Sequence, residues 1–172
     1  MPVETLVAEM AHGRVSKIVD GGKLIGISID EGGVNHAEGL ESGFDWPDLV
    51  EDIDWSMVTP FRRLVFEALL DNVPRGSLIT YGELASAAGS PGSARAVGSA
   101  LSSNPWPLVV PCHRVVRSNG HIGPYSAGEG ISTKRRLLIG EGVKIDSEFC
   151  FDQKNLTKIA REPRDATIQM KM

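Results

Sequence analysis

Two cysteines in 172 residues, Cys112 and Cys150, are too few for a disulfide framework, so the chain must rely on an apolar core. A reducing, cytoplasmic compartment is the expectation, because a free thiol survives there. No apolar run approaches the ~20 residues needed to cross a bilayer. The opening residues lack the basic start and apolar stretch of a signal peptide. His12 and His36 have no cysteine neighbours at metal-ligand spacing; both read as loop histidines, and no metal is expected. A positive net charge is missing as well. The chain carries 22 Asp and Glu against 18 Lys and Arg, for a net −4, which argues against a blanket nucleic-acid coat. What remains is an ordinary globular composition, 41% hydrophobic and 23% charged.

The average charge hides a split. Residues 1–55 hold twelve acidic against three basic side chains; the remainder holds ten against fifteen. Between Ser93 and Arg136 the basic residues Arg95, Arg114, Arg117, Lys134, Arg135 and Arg136 face one acid, Glu129. Phosphate binding depends on such local clusters, although a solvated face has the same composition.

The hydrophobic pattern divides the chain into a β-containing part over 1–55, a mainly helical part over 56–145 and a tail over 146–172. Arg14–Ile18 and Leu24–Ile29 flank Asp20-Gly21-Gly22, a hairpin-type turn, with Ile25, Ile27 and Ile29 alternating onto one face. Glu31–Asp54 reads as an acidic connector. Thr59-Pro60 is a cap followed by proline at the first helical position, and Phe61, Leu64, Val65, Ala68 and Leu69 form one apolar stripe. Thr80-Tyr81-Gly82-Glu83 is a capping box that opens a short helix to Ala88. After Gly89-Ser90-Pro91-Gly92, Ser93 caps a second helix over 94–102, completing a helix-turn-helix pattern. Ala94, Ala96, Gly98, Ser99 and Ala100 give this second helix a small-residue face, suited to close approach by a packed neighbour or a nucleic-acid groove. A last helix starts near Ser132, turns Leu137 and Leu138 inward and stops at Gly140-Glu141-Gly142.

The chemistry concentrates at Pro111-Cys112-His113-Arg114-Val115, directly after an apolar run. The thiolate is the reactive form of cysteine, and a neighbouring imidazole can take its proton. A buried structural cysteine beside a solvated histidine is the plainer reading of such a pair. The surrounding motifs favour the reactive one.

In this order, Ile79-Thr80-Tyr81-Gly82-Glu83-Leu84-Ala85, Arg95-Ala96-Val97-Gly98, Asn104-Pro105, Pro111 to Val116, Gly123-Pro124-Tyr125-Ser126 and Lys134 to Gly142 resemble the O6-alkylguanine-DNA alkyltransferase family over roughly residues 58–143. The resemblance implies an α+β fold. A small N-terminal ribonuclease H-like β-containing domain would precede a winged-helix-like, mainly helical domain with a helix-turn-helix. It implies a DNA-repair enzyme that moves the alkyl group of O6-methylguanine, and of O4-methylthymine, irreversibly onto its own cysteine. No cofactor is implied. The partner is double-stranded DNA, with no membrane, no obligate protein partner and a monomeric state.

By the same resemblance Cys112 is the acceptor, His113 takes its proton, Glu141 orients His113, and Asn104 fixes the turn that carries the thiol. The target base must leave the stack. Arg95 would fill the space it vacates, and Tyr81 would crowd the 3′ phosphate and assist the leaving guanine. Ala94, Ala96, Gly98, Ser99 and Arg114 would meet DNA, with the small helix face against the minor groove. Tyr81, Val115, Tyr125, Ser126 and Ala127 would line the base pocket, Ala127 standing where a glycine is common. A non-catalytic damage-binding relative, a cysteine hydrolase and a transcription regulator are the competing readings. Cys112 counts against the first. The helix-turn-helix is left unexplained by the second, and the short side chains of 94–100 disfavour the third.

Overall fold

The computed structural model describes residues 3–10, 13–30 and 48–157. His12, His36 and most of the 31–54 connector lie outside the described residues. The fold is α+β. An antiparallel three-stranded sheet, β1 (Glu4–Met10), β2 (Gly13–Asp20) and β3 (Lys23–Asp30), in that order, precedes a helical region. That region holds α1 (Pro60–Asn72), β4 (Ile79–Thr80), α2 (Tyr81–Ala87), α3 (Ala94–Ser102), β5 (Val115–Val116) and α4 (Ile131–Gly140).

Sequence patterning finds β2 and β3 but not β1. The expected alternation of Ile25, Ile27 and Ile29 onto one face holds for Ile27 and Ile29 and fails at Ile25. Val19 pairs with Leu24 whereas Ile18 pairs with Gly26, so Ile25 is the extra residue of a β-bulge. The bulge breaks the alternation and turns Leu24 and Ile27 into the core, with Ile29 packed at its edge. Gly21 and Gly22 close the β2–β3 hairpin at φ 55° and 79°, a conformation that glycine adopts without cost.

In α1 the Thr59 hydroxyl accepts from the Arg62 N–H, as the cap pattern requires. Its buried stripe is Val65, Phe66, Ala68 and Leu69; Leu64 is 52% exposed. The expected stripe is therefore rotated, because Phe66 packs edge-on against Trp106 at 6.2 Å and takes the inward place. Thr80 caps α2 by accepting from Glu83 N–H. Ser93 does not cap α3: its hydroxyl pairs with that of Ser90 at 2.7 Å. Helix α4 begins at Ile131, with Leu137 and Leu138 buried.

Two packing features set up the functional region. Strands β4 and β5 run parallel, Ile79 opposite Val115 and Thr80 opposite Val116. Tyr81 directly follows β4, and the single turn of 3-10 helix Cys112–Arg114 directly precedes β5, so this pairing fixes both against one another. Beyond Lys144 the chain packs back through Thr157. The Leu78 N–H donates to Asn155 O, Thr157 N–H to Leu78 O, and Phe151 is buried with Ile122 and Leu138.

Candidate active site

The cysteine turn is held from both ends. The Asn104 side-chain oxygen accepts from Trp106 N–H at 2.9 Å, and its amide donates to Val110 O at 3.0 Å. The loop between includes Leu108 at φ 75°, an unfavourable angle for a branched residue that persists only where the flanks are fixed. The N-terminal sheet supplies the outer anchor. Trp106 Nε1 donates to Leu24 O at 2.9 Å, Ile27 N–H donates to Pro105 O at 2.9 Å, and the Trp106 ring meets Trp55 edge-on.

Cys112 is 6% exposed and His113 1%. His113 Nε2 lies 2.8 Å from Glu141 Oε1. Glu141 in turn receives two bonds from Arg114, Nε to Oε2 at 2.9 Å and Nη2 to Oε1 at 2.8 Å. Arg114 Nη1 also donates to Val73 O, the carbonyl just past α1. Burial alone would raise the Glu141 pKa. The hydrogen bonds and charges of His113 and Arg114 outweigh it and bring the value to about 2. An ionised carboxylate only accepts, so Nε2 of His113 must carry its proton. Nδ1 is then the lone-pair nitrogen, and it is buried with no hydrogen-bond partner among the described residues. Burial lowers the His113 pKa despite Glu141, so the ring rests neutral at pH 7. That is a base with one fixed tautomer.

Burial also raises the Cys112 pKa. Hydrogen bonds from Asn104 and Tyr125 and the charge of Lys134 oppose the rise without cancelling it, and the resting group is a thiol. Sequence reasoning missed Lys134 as a site residue. It is fully buried, with Nζ donating to Val115 O and, at 3.1 Å, to Pro124 O. It also stands over the Tyr81 ring at 6.0 Å. Desolvation lowers its pKa to about 7, the neighbouring Cys112 resisting the fall and Arg117 adding to it. The signal that could have found it is its place one helical turn before Leu137 and Leu138, on the inward face of α4.

A pocket of about 140 Å³ opens over the thiol, lined by Cys112, Tyr81, Tyr125 and Ser126 with Gly98 and Ser102 of α3. Burial raises the Tyr81 pKa; the Cys112 charge adds to this and Arg117 opposes it. Val115 and Ala127 are not among the pocket's lining residues. Val115 O accepts from Lys134 Nζ. On α3, Arg95, Ala96 and Ser99 are exposed, while Val97, Ala100 and Leu101 face the core. Arg114, expected at DNA, is instead committed to Glu141 and Val73, because the turn that buries His113 points the next side chain at the same carboxylate. A larger hollow of about 670 Å³ touches His113, Arg114 and Glu141 but not Cys112. No cluster of three or more His, Cys, Asp or Glu side chains that could hold a metal occurs among the described residues.

Residues 60–143 match the model of the 6-O-methylguanine DNA methyltransferase, DNA binding domain. The chain is 53% identical over 95 residues to the methylated-DNA--protein-cysteine methyltransferase of Thermococcus kodakarensis, and 42% identical over 111 residues to that of Methanothermobacter thermautotrophicus. These matches cover 55% and 64% of this chain but 52% and 58% of those proteins, so the chain spans about half the length of the curated relatives it matches. Among solved structures it is similar to the O6-methylguanine-DNA methyltransferase of Pyrococcus kodakaraensis, with TM-score 0.62 and 34% identity over 82% of this chain and 98% of that one. It is also similar to Mycobacterium tuberculosis OGT in complex with DNA, with TM-score 0.59 and 29% identity over 81% of this chain and 92% of that one. With its helix-turn-helix, its buried Cys-His-Glu arrangement and a fold shared over nearly the whole of a solved relative, the chain belongs to the O6-methylguanine-DNA methyltransferase family.

Proposed function

We propose that the protein repairs alkylated DNA by direct reversal, taking the methyl group of O6-methylguanine, and of O4-methylthymine, onto Cys112 once per molecule. The observation that carries the reading is the bond between Glu141 and His113 Nε2, which leaves Nδ1 as the lone-pair nitrogen of the residue next to Cys112, a buried thiol that lines a pocket of about 140 Å³.

The proton of Cys112 passes through a bridging water to His113 Nδ1, which makes no direct hydrogen bond among the described residues, and Glu141 stabilises the imidazolium that results. The thiolate sulfur attacks the methyl carbon. A C–S bond forms as the C–O bond breaks, and the bonding pair stays with the guanine. The Tyr81 hydroxyl donates to the leaving base as its charge grows, a role supported by the place of Tyr81 in the pocket lining. The product is a thioether, a poor leaving group that water does not displace. Turnover therefore stops at one.

The partner is double-stranded DNA, and the DNA complex of the M. tuberculosis relative supports that choice. Arg95, Ala96 and Ser99 on the exposed face of α3 are the residues proposed to meet the groove, with Ala94 and Gly98 beside them. Gly98 lines the thiol pocket itself, so a nucleotide rotated out past α3 reaches the thiol along that helix. A cytoplasmic, monomeric protein that needs no cofactor fits this chemistry. No helix among the described residues is long and apolar enough to cross a membrane.

The test is mass spectrometry of the intact protein and its peptides after mixing with a duplex that carries one O6-methylguanine. One added methyl on the Cys112 peptide, saturating at one per protein, is the expected result. Lesion binding with no modification would instead identify a non-catalytic damage-binding relative.

A further inference from the structure

The cluster of six basic residues between Arg95 and Arg136 is sorted by its partners. Arg114 is bound to Glu141, and Lys134 is buried on two carbonyls. Arg136 pairs with Glu129, and the Arg135 guanidinium lies over the Phe149 ring at 5.7 Å. Arg95 and Arg117 are the exposed members that make no ion pair or side-chain hydrogen bond among the described residues. Arg95 is on α3. Arg117 has no role so far.

Its position is specific. Gly123, at φ 79°, lies beneath it: a methyl group built there would sit 3.3 Å from Arg117 Cγ, 3.7 Å from Arg117 Nε and 3.5 Å from the Tyr81 hydroxyl oxygen. The arginine stem therefore lies flat over a residue without a side chain, and its head stays in solvent beside the pocket's phenol. Its charge is felt by both Tyr81 and Lys134, lowering the pKa of each. A cation with no ion pair or side-chain hydrogen bond among the described residues, held by a packed stem next to Tyr81, is arranged to meet an anion that arrives with the substrate. A guanidinium presents paired N–H donors that match two oxygens of one phosphate.

We propose that Arg117 is a phosphate-binding residue, which takes the DNA phosphate on the 3′ side of the target nucleotide as that nucleotide rotates into the pocket. This rests on the proposed repair of duplex DNA, and the 3′ side on the place of Arg117 beside Tyr81, which the resemblance sets against that phosphate. Arg117 would then help hold the rotated state without touching the base or the reacting carbon, which makes it a positioning residue.

The experiment compares wild type with Arg117→Gln and Arg117→Lys in single-turnover methyl transfer from three substrates. They are a duplex with one O6-methylguanine, the same duplex with the 3′ phosphate of the lesion replaced by an uncharged methylphosphonate, and free O6-methylguanine. For Arg117→Gln the duplex rate is expected to fall roughly ten- to a hundred-fold, the loss of one charged hydrogen-bonding contact. The free-base rate should change by no more than about threefold, so the ratio of the two rates carries the result. The methylphosphonate should slow wild type by a similar factor and add little to the Gln variant, as for two halves of one interaction. Arg117→Lys should recover part of the loss. The salt dependence of duplex binding should flatten by about 0.9 in its logarithmic slope. Equal slowing of duplex and free base, an unchanged duplex rate, or multiplying losses from Gln and methylphosphonate would each overturn the assignment. If wild type takes no methyl from either substrate, the repair reading itself has failed, and that outcome is distinct from all of these.

Discussion

Replacing Glu141 by glutamine changes one oxygen into an NH2 group and removes one charge. The consequences follow from three contacts. Oε1 accepts from His113 Nε2 and Arg114 Nη2, and Oε2 accepts from Arg114 Nε. A glutamine has one oxygen for the two sites. If it faces His113, its NH2 opposes the Arg114 Nε–H, donor against donor. If it turns over, its NH2 faces Nε2, and the histidine proton must move to Nδ1, where the acceptor is needed. Both arrangements harm the base. Loss of a charge-assisted hydrogen bond to the developing imidazolium is worth about 1.5–3 kcal/mol, or roughly ten- to 150-fold in rate. Inversion of the tautomer raises the loss towards about 10⁴.

Stability responds through the same carboxylate. Its pKa of about 2 in the fold lies below the ordinary 4.5, so its ionised form is preferred in the native state. The contribution is fully present above about pH 4.5, shrinks as pH falls through the window between the two values and is gone near pH 2, amounting to about 3 kcal/mol. Glu141→Gln should lose most of this at pH 7, and the difference from wild type should vanish towards pH 2. The assay is the rate of Cys112 alkylation by iodoacetamide against pH, run beside thermal unfolding and duplex binding. The expected variant has a later alkylation profile, a lower melting temperature and unchanged DNA affinity. An alkylation profile that superimposes on wild type would refute Glu141 as the group that sets the histidine proton.

Cys112→Ala should bind duplex DNA normally and accept no methyl group by mass spectrometry, and any methyl found on Cys150 would contradict the assignment. Arg95→Ala should slow repair of a duplex far more than repair of free O6-methylguanine, since the free base needs no extrusion. Lys134→Met should move Cys112 alkylation to higher pH, because the ammonium charge is among the effects that lower the thiol pKa. The same lysine sheds its proton at about 7 when folded and 10.5 when unfolded, so wild type should gain stability relative to the Met variant as pH climbs through that window in thermal melts. Trp106→Phe should cost about 1 kcal/mol and a few degrees of melting temperature, because Leu24 O keeps its bond from Asp54 N–H at 3.1 Å after the indole donor is lost.

What the sequence reveals depends on the range over which each interaction acts. The caps at Thr59 and Thr80 bond within three residues and are legible, as is the Cys-His pair, whose members are adjacent. Leu64 is misjudged because helical periodicity cannot choose between two neighbouring apolar faces; the choice falls to the Phe66–Trp106 contact across 40 residues. Ile25 is misjudged because a bulge changes the alternation without leaving a mark in composition. Arg114 illustrates the same limit for function. Its charge is visible, but its partner Glu141 is 27 residues on, and only the folded turn tells a guanidinium aimed at a carboxylate from one aimed at DNA. Lys134 is legible only as a member of the basic cluster and of a motif; its burial in the site is missed because lysine is so rarely fully buried.

The resting charges suit the single use proposed for the thiol. With the Cys112 pKa raised and the His113 pKa lowered, the pair rests as neutral thiol and neutral imidazole. A permanently ionised thiolate would be more reactive towards oxidants and stray alkylators, each of which would end the life of the molecule. Burial suppresses that loss, and the same burial makes every preset dipole stronger once charge separates. Glu141 is ionised in advance and tied by Arg114, so the imidazolium meets a counter-charge that needs no rearrangement. In the proposed repair the thiolate would therefore form at small extra cost once a substrate fills the pocket, the thiol staying masked until then. The rigidity this needs explains why so much of the fold converges on one turn. Asn104 fixes it from within, Trp106 ties it to β3, and β5 is locked to the strand that carries Tyr81.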